Sequence, residues 1–117
     1  MNTKEDISFI KGKIIEQVCF GLYQLQLHFN DKIIIEIGCE VEYLQENGNI
    51  QKWTPYNGRD FFSVNNILEI PVKNVHVDSN GNLYLNFENE DNIRIVPAHG
   101  DHESYIIYHD QDFEVIS

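Results

Sequence analysis

The sequence predicts a mainly β domain with one short helix, built from two antiparallel meanders that form a twisted sheet, a sandwich or a half-open barrel. Three observations predict it. Apolar and polar residues alternate over several short runs, which is the period of a strand with one buried face. Clusters of Asn, Asp and Gly separate those runs, and these residues tolerate the positive φ of tight reversals. One block of apolar positions also recurs later in the chain, as a repeated meander would require.

Residues 1–6 read as a frayed terminus. Ile7 to Phe20 then holds one or two extended segments around Lys11-Gly12, the clearer running from Lys13 to Phe20 with Val18 and Phe20 on one face and Cys19 opposite. Tyr23 to Phe29 alternates strictly, and Asn30-Asp31 is the expected reversal point. Beyond it Ile33, Ile35, Ile37, Cys39, Val41 and Tyr43 occupy the odd positions. Taken as one long strand bent at Gly38, this stretch has an apolar inner face and carries Glu36, Glu40 and Glu42 outside. Asn47-Gly48 is a strong hairpin signal, with Ile50 to Trp53 as the returning strand.

Arg59 to Leu68 is the helix candidate: Phe61, Val64 and Leu68 lie at helical spacing, Asp60 can cap the start, and Pro71 marks the end. The repeat follows. Val75, Val77, Leu83, Leu85, Phe87, Ile93 and Ile95 match Val18, Phe20, Leu25, Leu27, Phe29, Ile33 and Ile35, with one extra residue in the first turn and two in the second. The repeat thus spans roughly 13–37 and 72–97, and a closing hairpin occupies 104–116. The expected core is those fourteen positions.

At 117 residues, with no linker or low-complexity stretch, a single domain over 1–117 accounts for the chain. It has no run of about 18 apolar residues, so no membrane span is expected. The first residues lack a secretory signal, which points to the cytoplasm. Cys19 and Cys39 lie inside strand patterns and read as buried reduced thiols. The extreme value is the net charge of −11, from nineteen Asp and Glu against eight Lys and Arg. Such a field repels nucleic acid and anionic membranes and speeds encounter with a basic partner.

No catalytic signature is present. The chain lacks Gly-x-Ser-x-Gly, its glycines fall at turns, and neither cysteine has neighbours that would lower its pKa. The group His99, Asp101, His102, Glu103, His109 and Asp110 has metal-ligand chemistry, but Pro97 and Gly100 make it a loop of no fixed geometry, so it reads as solvated and no metal or cofactor is expected. Partner binding is the better-motivated use. No Lys or Arg interrupts Ile33 to Ile50, so Glu36, Glu40, Glu42 and Glu46 form an acidic face; Asp101, Glu103, Asp110 and Asp112 belong to a second acid-rich region with Arg94 as its only base. Trp53 and Tyr56 are the aromatic candidates for that surface, although a Trp beside a docked helix more often covers the core edge.

The layout of Val18 to Ile37, Val75 to Pro97 and Glu103-Ser104-Tyr105 before the last hairpin resembles the small, acidic, β-rich immunity proteins of bacterial polymorphic and contact-dependent growth-inhibition toxins. It is similar also to an uncharacterised bacterial domain family with a duplicated meander, a short helix between the copies and a closing hairpin. The resemblance implies a protein that binds and blocks a cognate toxin domain, often a nuclease with a basic groove; beside it, no enzyme activity and a monomer or weak homodimer are expected. It carries over no contact residues. The alternative from another class is a small-ligand, sugar or metal-binding β domain using the aromatic or histidine loop, and a third is a weak carboxylate hydrolase.

Overall fold

Among the described residues ten strands fold into two antiparallel five-stranded sheets that are not closed into a barrel. The computed structural model describes residues 7–21, 23–55, 67–97, 105–109 and 112–116, the last by backbone alone. The helix candidate at 59–68 lies outside the described residues except for its last two positions. Among the described residues a 3-10 turn spans Ser8–Ile10, Ile67 also has 3-10 conformation, and no helix is long and apolar enough to cross a membrane.

The first sheet orders β1 (Ile15–Phe20), β2 (Leu25–Phe29), β3 (Ile33–Ile37), β9 (Tyr105–His109) and β10 (Asp112–Ile116). The second orders β5 (Ile50–Trp53), β4 (Glu40–Leu44), β8 (Asn92–Val96), β7 (Leu83–Phe87) and β6 (Val72–Val77). The two orders are the same path written twice. A three-strand meander is followed by a hairpin that leaves its own sheet and pairs with the third strand of the other meander. Thus β4–β5 docks on β8, and β9–β10 docks on β3.

Registers repeat as well. Ile35 pairs with Leu27 and Ile107 in the first sheet; Ile93 pairs with Leu85 and Tyr43 in the second. Both edge strands β1 and β6 open with an irregular register, after Ile15 and after Val72. Matching bonds tie the segments in front of them: Asn30 N donates to Ile14 O, and Glu88 N to Pro71 O.

This pairing corrects the sequence alignment of the repeat in its third strand. Ile93 and Ile95 correspond to Ile35 and Ile37, not to Ile33 and Ile35, and the second turn has the same length in both copies. The position matching Ile33 is Asp91. The repeat also reaches further than two meanders, since β4–β5 is the counterpart of the closing hairpin.

The core is shared. Leu25, Leu27, Phe29, Ile33 and Ile35 from one sheet and Leu83, Leu85, Phe87, Ile93 and Ile95 from the other are buried in one cluster, as expected. Val18, Val75 and Val77 pack against its rim. Phe20 is a correction: it ends β1 beyond the overlap of the sheets and is 51% exposed. Ile7, Ile10, Ile15, Ile37, Val41, Tyr43, Trp53, Ile67, Val72, Tyr105 and Ile107 are buried with them. Cys39 is buried and Cys19 half-buried, and the two are not joined in a disulfide.

Candidate functional site

The first question is what became of the acidic strand. Ile33 to Tyr43 is not one strand but two, broken at Gly38-Cys39, and the halves belong to different sheets. Glu36 therefore stands on the outer face of the first sheet, whereas Glu40 and Glu42 stand on the second. The alternation of apolar residues runs unbroken through the corner because both sheets turn their inner faces to the same core. Period alone carries no record of the crossing.

On the second sheet the carboxylates are neutralised from neighbouring strands. Arg94 of β8 lies directly opposite Glu42 and pairs with it. Lys52 of β5 stands opposite Glu42 too, with Nζ 3.8 Å from Glu42 and 3.4 Å from Glu40. Hydrogen bonds to Glu42 and to Tyr84 push the Arg94 guanidinium above its ordinary pKa. Tyr84 in turn stacks on His76 with ring centroids 4.6 Å apart, and its hydroxyl donates to Asp78 (3.1 Å). This face is closed by its own ion pairs.

The corresponding face of the first sheet is different. The shared register places Glu36 where the second sheet has Arg94, Ile106 where it has Glu42, Tyr108 where it has Leu44, Ile34 where it has Asn92, and Gln26 where it has Tyr84. Tyr108 donates its hydroxyl to Glu36 Oε1 at 2.9 Å, and the bond to a carboxylate raises the phenol's pKa. No Lys or Arg forms an ion pair with Glu36 among the described residues. Gln26, Lys32, Ile34, Glu36 and Tyr108 line an open depression of about 490 Å³, and a 2.9 Å hydrogen bond holds His28 Nε2 against Gln26 Oε1 beside it.

No family model, curated protein or solved structure matches this chain. The site is accordingly read from its own chemistry. It offers one carboxylate among Ile34, Ile106 and a tyrosine ring, on the middle strands of a sheet and so held by hydrogen bonds on both sides.

The remaining candidates fall elsewhere. Glu46 is exposed at the tip of the β4–β5 hairpin, where its backbone N–H donates to Asp91 (2.8 Å). Trp53 is a correction: at 1% exposure it fills the core from the end of β5 and presents nothing to a partner. Tyr56, Asp101, Glu103 and Asp110 lie outside the described residues, as do His99 and His102. Asp112 is the first residue of β10, opposite His109. Of the histidine loop's ligand-type residues His109 is described, and its ring stacks on Phe9 with centroids 4.0 Å apart. Among the described residues no group of three His, Cys, Asp or Glu side chains is placed to hold a metal.

Sequence reasoning missed Tyr108 and Ile106 as parts of the site. Their signal is faint but real, since both occupy outward positions of an alternating strand that polar residues normally take.

Proposed function

We propose that this chain is an immunity-type inhibitor, which binds a toxin domain through the outer face of its first sheet and blocks a basic substrate groove. The observation that carries the reading is the charge of −11. Four of the chain's eight Lys and Arg residues, Lys13, Lys52, Lys73 and Arg94, pair with carboxylates of the same chain. A surface of this sign accelerates encounter with a positive groove and competes with phosphates for it. Glu36, in a depression lined also by Ile34 and Tyr108, supplies a carboxylate that pairs with no Lys or Arg among the described residues. The work assigned to the chain is binding, and no catalytic step is assigned to it.

The test is to co-express the chain with the toxin encoded beside it. Growth should be rescued, and a one-to-one complex should form whose Kd weakens by about tenfold or more between low salt and ~0.5 M salt. Failure to rescue together with absence of a complex at low salt would overturn the reading. A small-ligand domain is the second reading, favoured by a depression of about 490 Å³, within the range of small-molecule sites. A saturable thermal shift with a neutral sugar, and none with the toxin, would favour it.

A further inference from the structure

We propose that the depression on the outer face of the first sheet receives an arginine side chain from the basic partner, with its guanidinium on Glu36 and its plane over Tyr108. This rests on the inhibitor reading above and names the group that the site recognises.

The protein contains its own precedent. On the second sheet a guanidinium lies across the strands from a glutamate and beside a tyrosine, as Arg94, Glu42 and Tyr84. On the first sheet a glutamate and a tyrosine also meet, but at other positions of the frame: Glu36 takes the place of Arg94 and Tyr108 that of Leu44, while Ile106 replaces Glu42 and Ile34 replaces Asn92. Among the described residues no guanidinium of the chain pairs with Glu36 as Arg94 does with Glu42. The space for one is the depression, whose lining includes Glu36, Tyr108 and Ile34.

The chemistry selects arginine over lysine. A guanidinium is planar and weakly hydrated, so it can stack on a phenol ring and lie against isoleucine methyls while donating two parallel N–H bonds to a carboxylate. An ammonium is compact and strongly hydrated, and it would give up more hydration on an apolar floor for fewer directed bonds. Tyr108 already holds one carboxylate oxygen at 2.9 Å, which fixes the orientation of the acceptor before any partner arrives. Lys32 is the counter-argument, because it lines the same depression. It sits in a tight turn at φ 64 with its side chain exposed, and it makes no ion pair with Glu36 among the described residues. It acts as a displaceable competitor.

The experiment is a titration of the isoleucine-methyl-labelled chain with N-acetyl-arginine amide at constant chloride, read by NMR at Ile34 and Ile106. N-acetyl-lysine amide and N-acetyl-alanine amide serve as comparisons. Saturable shifts at those two methyls are expected, with arginine tighter than lysine and alanine inert, and Ile50 of the second sheet unmoved. E36Q should weaken arginine binding by about fivefold or more and K32Q should tighten it by about twofold, because the first removes the attracting charge and the second the repelling one. Y108F keeps the ring and should retain binding within about threefold. Unperturbed Ile34 and Ile106 methyls, equal shifts with the alanine compound, or full binding by a folded E36Q protein would overturn the proposal. A toxin complex that forms while arginine amide leaves the site untouched would sink this assignment and leave the inhibitor reading standing. Arginine binding without any toxin complex would do the reverse.

Discussion

Asp91 is the one buried polar side chain among the described residues, 6% exposed at the position where the first repeat has Ile33. It is satisfied from three directions: Tyr43 hydroxyl (2.6 Å), Glu46 N–H (2.8 Å) and Asn89 amide (3.2 Å). Removing an acceptor with buried donors around it leaves each donor short of a partner, which costs more than the bonds themselves gain. Asp91→Ala should therefore lower stability by about 2–4 kcal/mol, and Tyr43→Phe by about 1–2 kcal/mol, in urea unfolding. Equal, small effects from both would show that the carboxylate is wet in solution. Phe20 supplies the opposite case. Alternation marks it as core, yet it overhangs the end of β1 and is 51% exposed. Phe20→Ser should cost under about 1 kcal/mol, against about 2–5 kcal/mol for Leu27→Ala in the centre of β2. Asp78 gives a titration check. Burial raises its carboxyl pKa, but hydrogen bonds from Asn82, Asn80 and Tyr84 outweigh this and leave it below the ordinary 3.8. A depressed folded-state value stabilises the protein above the unfolded value, and that contribution fades as pH falls through the folded one. D78N should be less stable than the parent near neutrality, with the gap closing below about pH 4; a gap constant down to pH 2 would rule the linkage out.

Among the elements, three hairpin turns share one construction: the residue before the reversal both accepts from the third residue on and donates to the fourth. The pairs are Gln45 with Gly48 and Asn49, Asp78 with Gly81 and Asn82, and Phe87 with Glu90 and Asp91. In each the third residue is left-handed, at φ 96 for Gly48, 87 for Gly81 and 74 for Glu90. A side chain is strained there and glycine is not. Gly48→Ala should thus destabilise by about 1 kcal/mol through the backbone alone, since a Cβ at Gly48 meets nothing within 4 Å. Glu90→Gly should act with the opposite sign, by about 0.5 kcal/mol, after the loss of its exposed bond to Lys73. Matching signs for the two would refute the shared geometry. These turns explain how much of the fold was legible. Asn47-Gly48 and Asn80-Gly81 announce themselves by residue type, and strict alternation located the central strands of both meanders. The first reversal fell one residue later than Asn30-Asp31 suggests, with positive φ at Asp31 and Lys32. Hidden from the sequence was every feature that depends on which sheet a strand joins. The break at Gly38-Cys39 preserves inward parity, so Glu36 seemed to share a face with Glu40 and Glu42. Trp53 reads as an aromatic candidate for the surface because its inward position is set by pairing with Val41, which no local pattern encodes. Of the site itself, Glu36 was visible and Tyr108 was not, because they meet across 72 residues of chain.

At the scale of the molecule, the two meanders are locked by exchanged hairpins. Each sheet is completed by a hairpin from the other half of the chain: β3 gains β9 and β10, and β8 gains β4 and β5. Neither half can satisfy the open edge of its own third strand with its own hairpin in this arrangement. Tyr105 joins the two sheets from within the second half of the chain. It is buried on β9, its hydroxyl donates to Gly81 O at the tip of the β6–β7 turn (3.0 Å), and burial drives its phenol far above the ordinary range. Such contacts span large sequence separations, whose loop-closure cost is met before the pairings stabilise anything, so folding is expected to be slow and cooperative. Cutting the chain between β5 and β6 tests the exchange directly. Fragments 1–61 and 62–117, refolded separately, should show no cooperative thermal transition as monomers. Mixed before refolding, they should give a one-to-one complex with one transition and the parent's circular dichroism. Each fragment alone can complete its sheet only by pairing with a second copy of itself, so concentration-dependent dimers are the expected by-product. A fragment that unfolds cooperatively as a monomer would show that its hairpin folds back on its own meander, and the exchanged topology would be wrong.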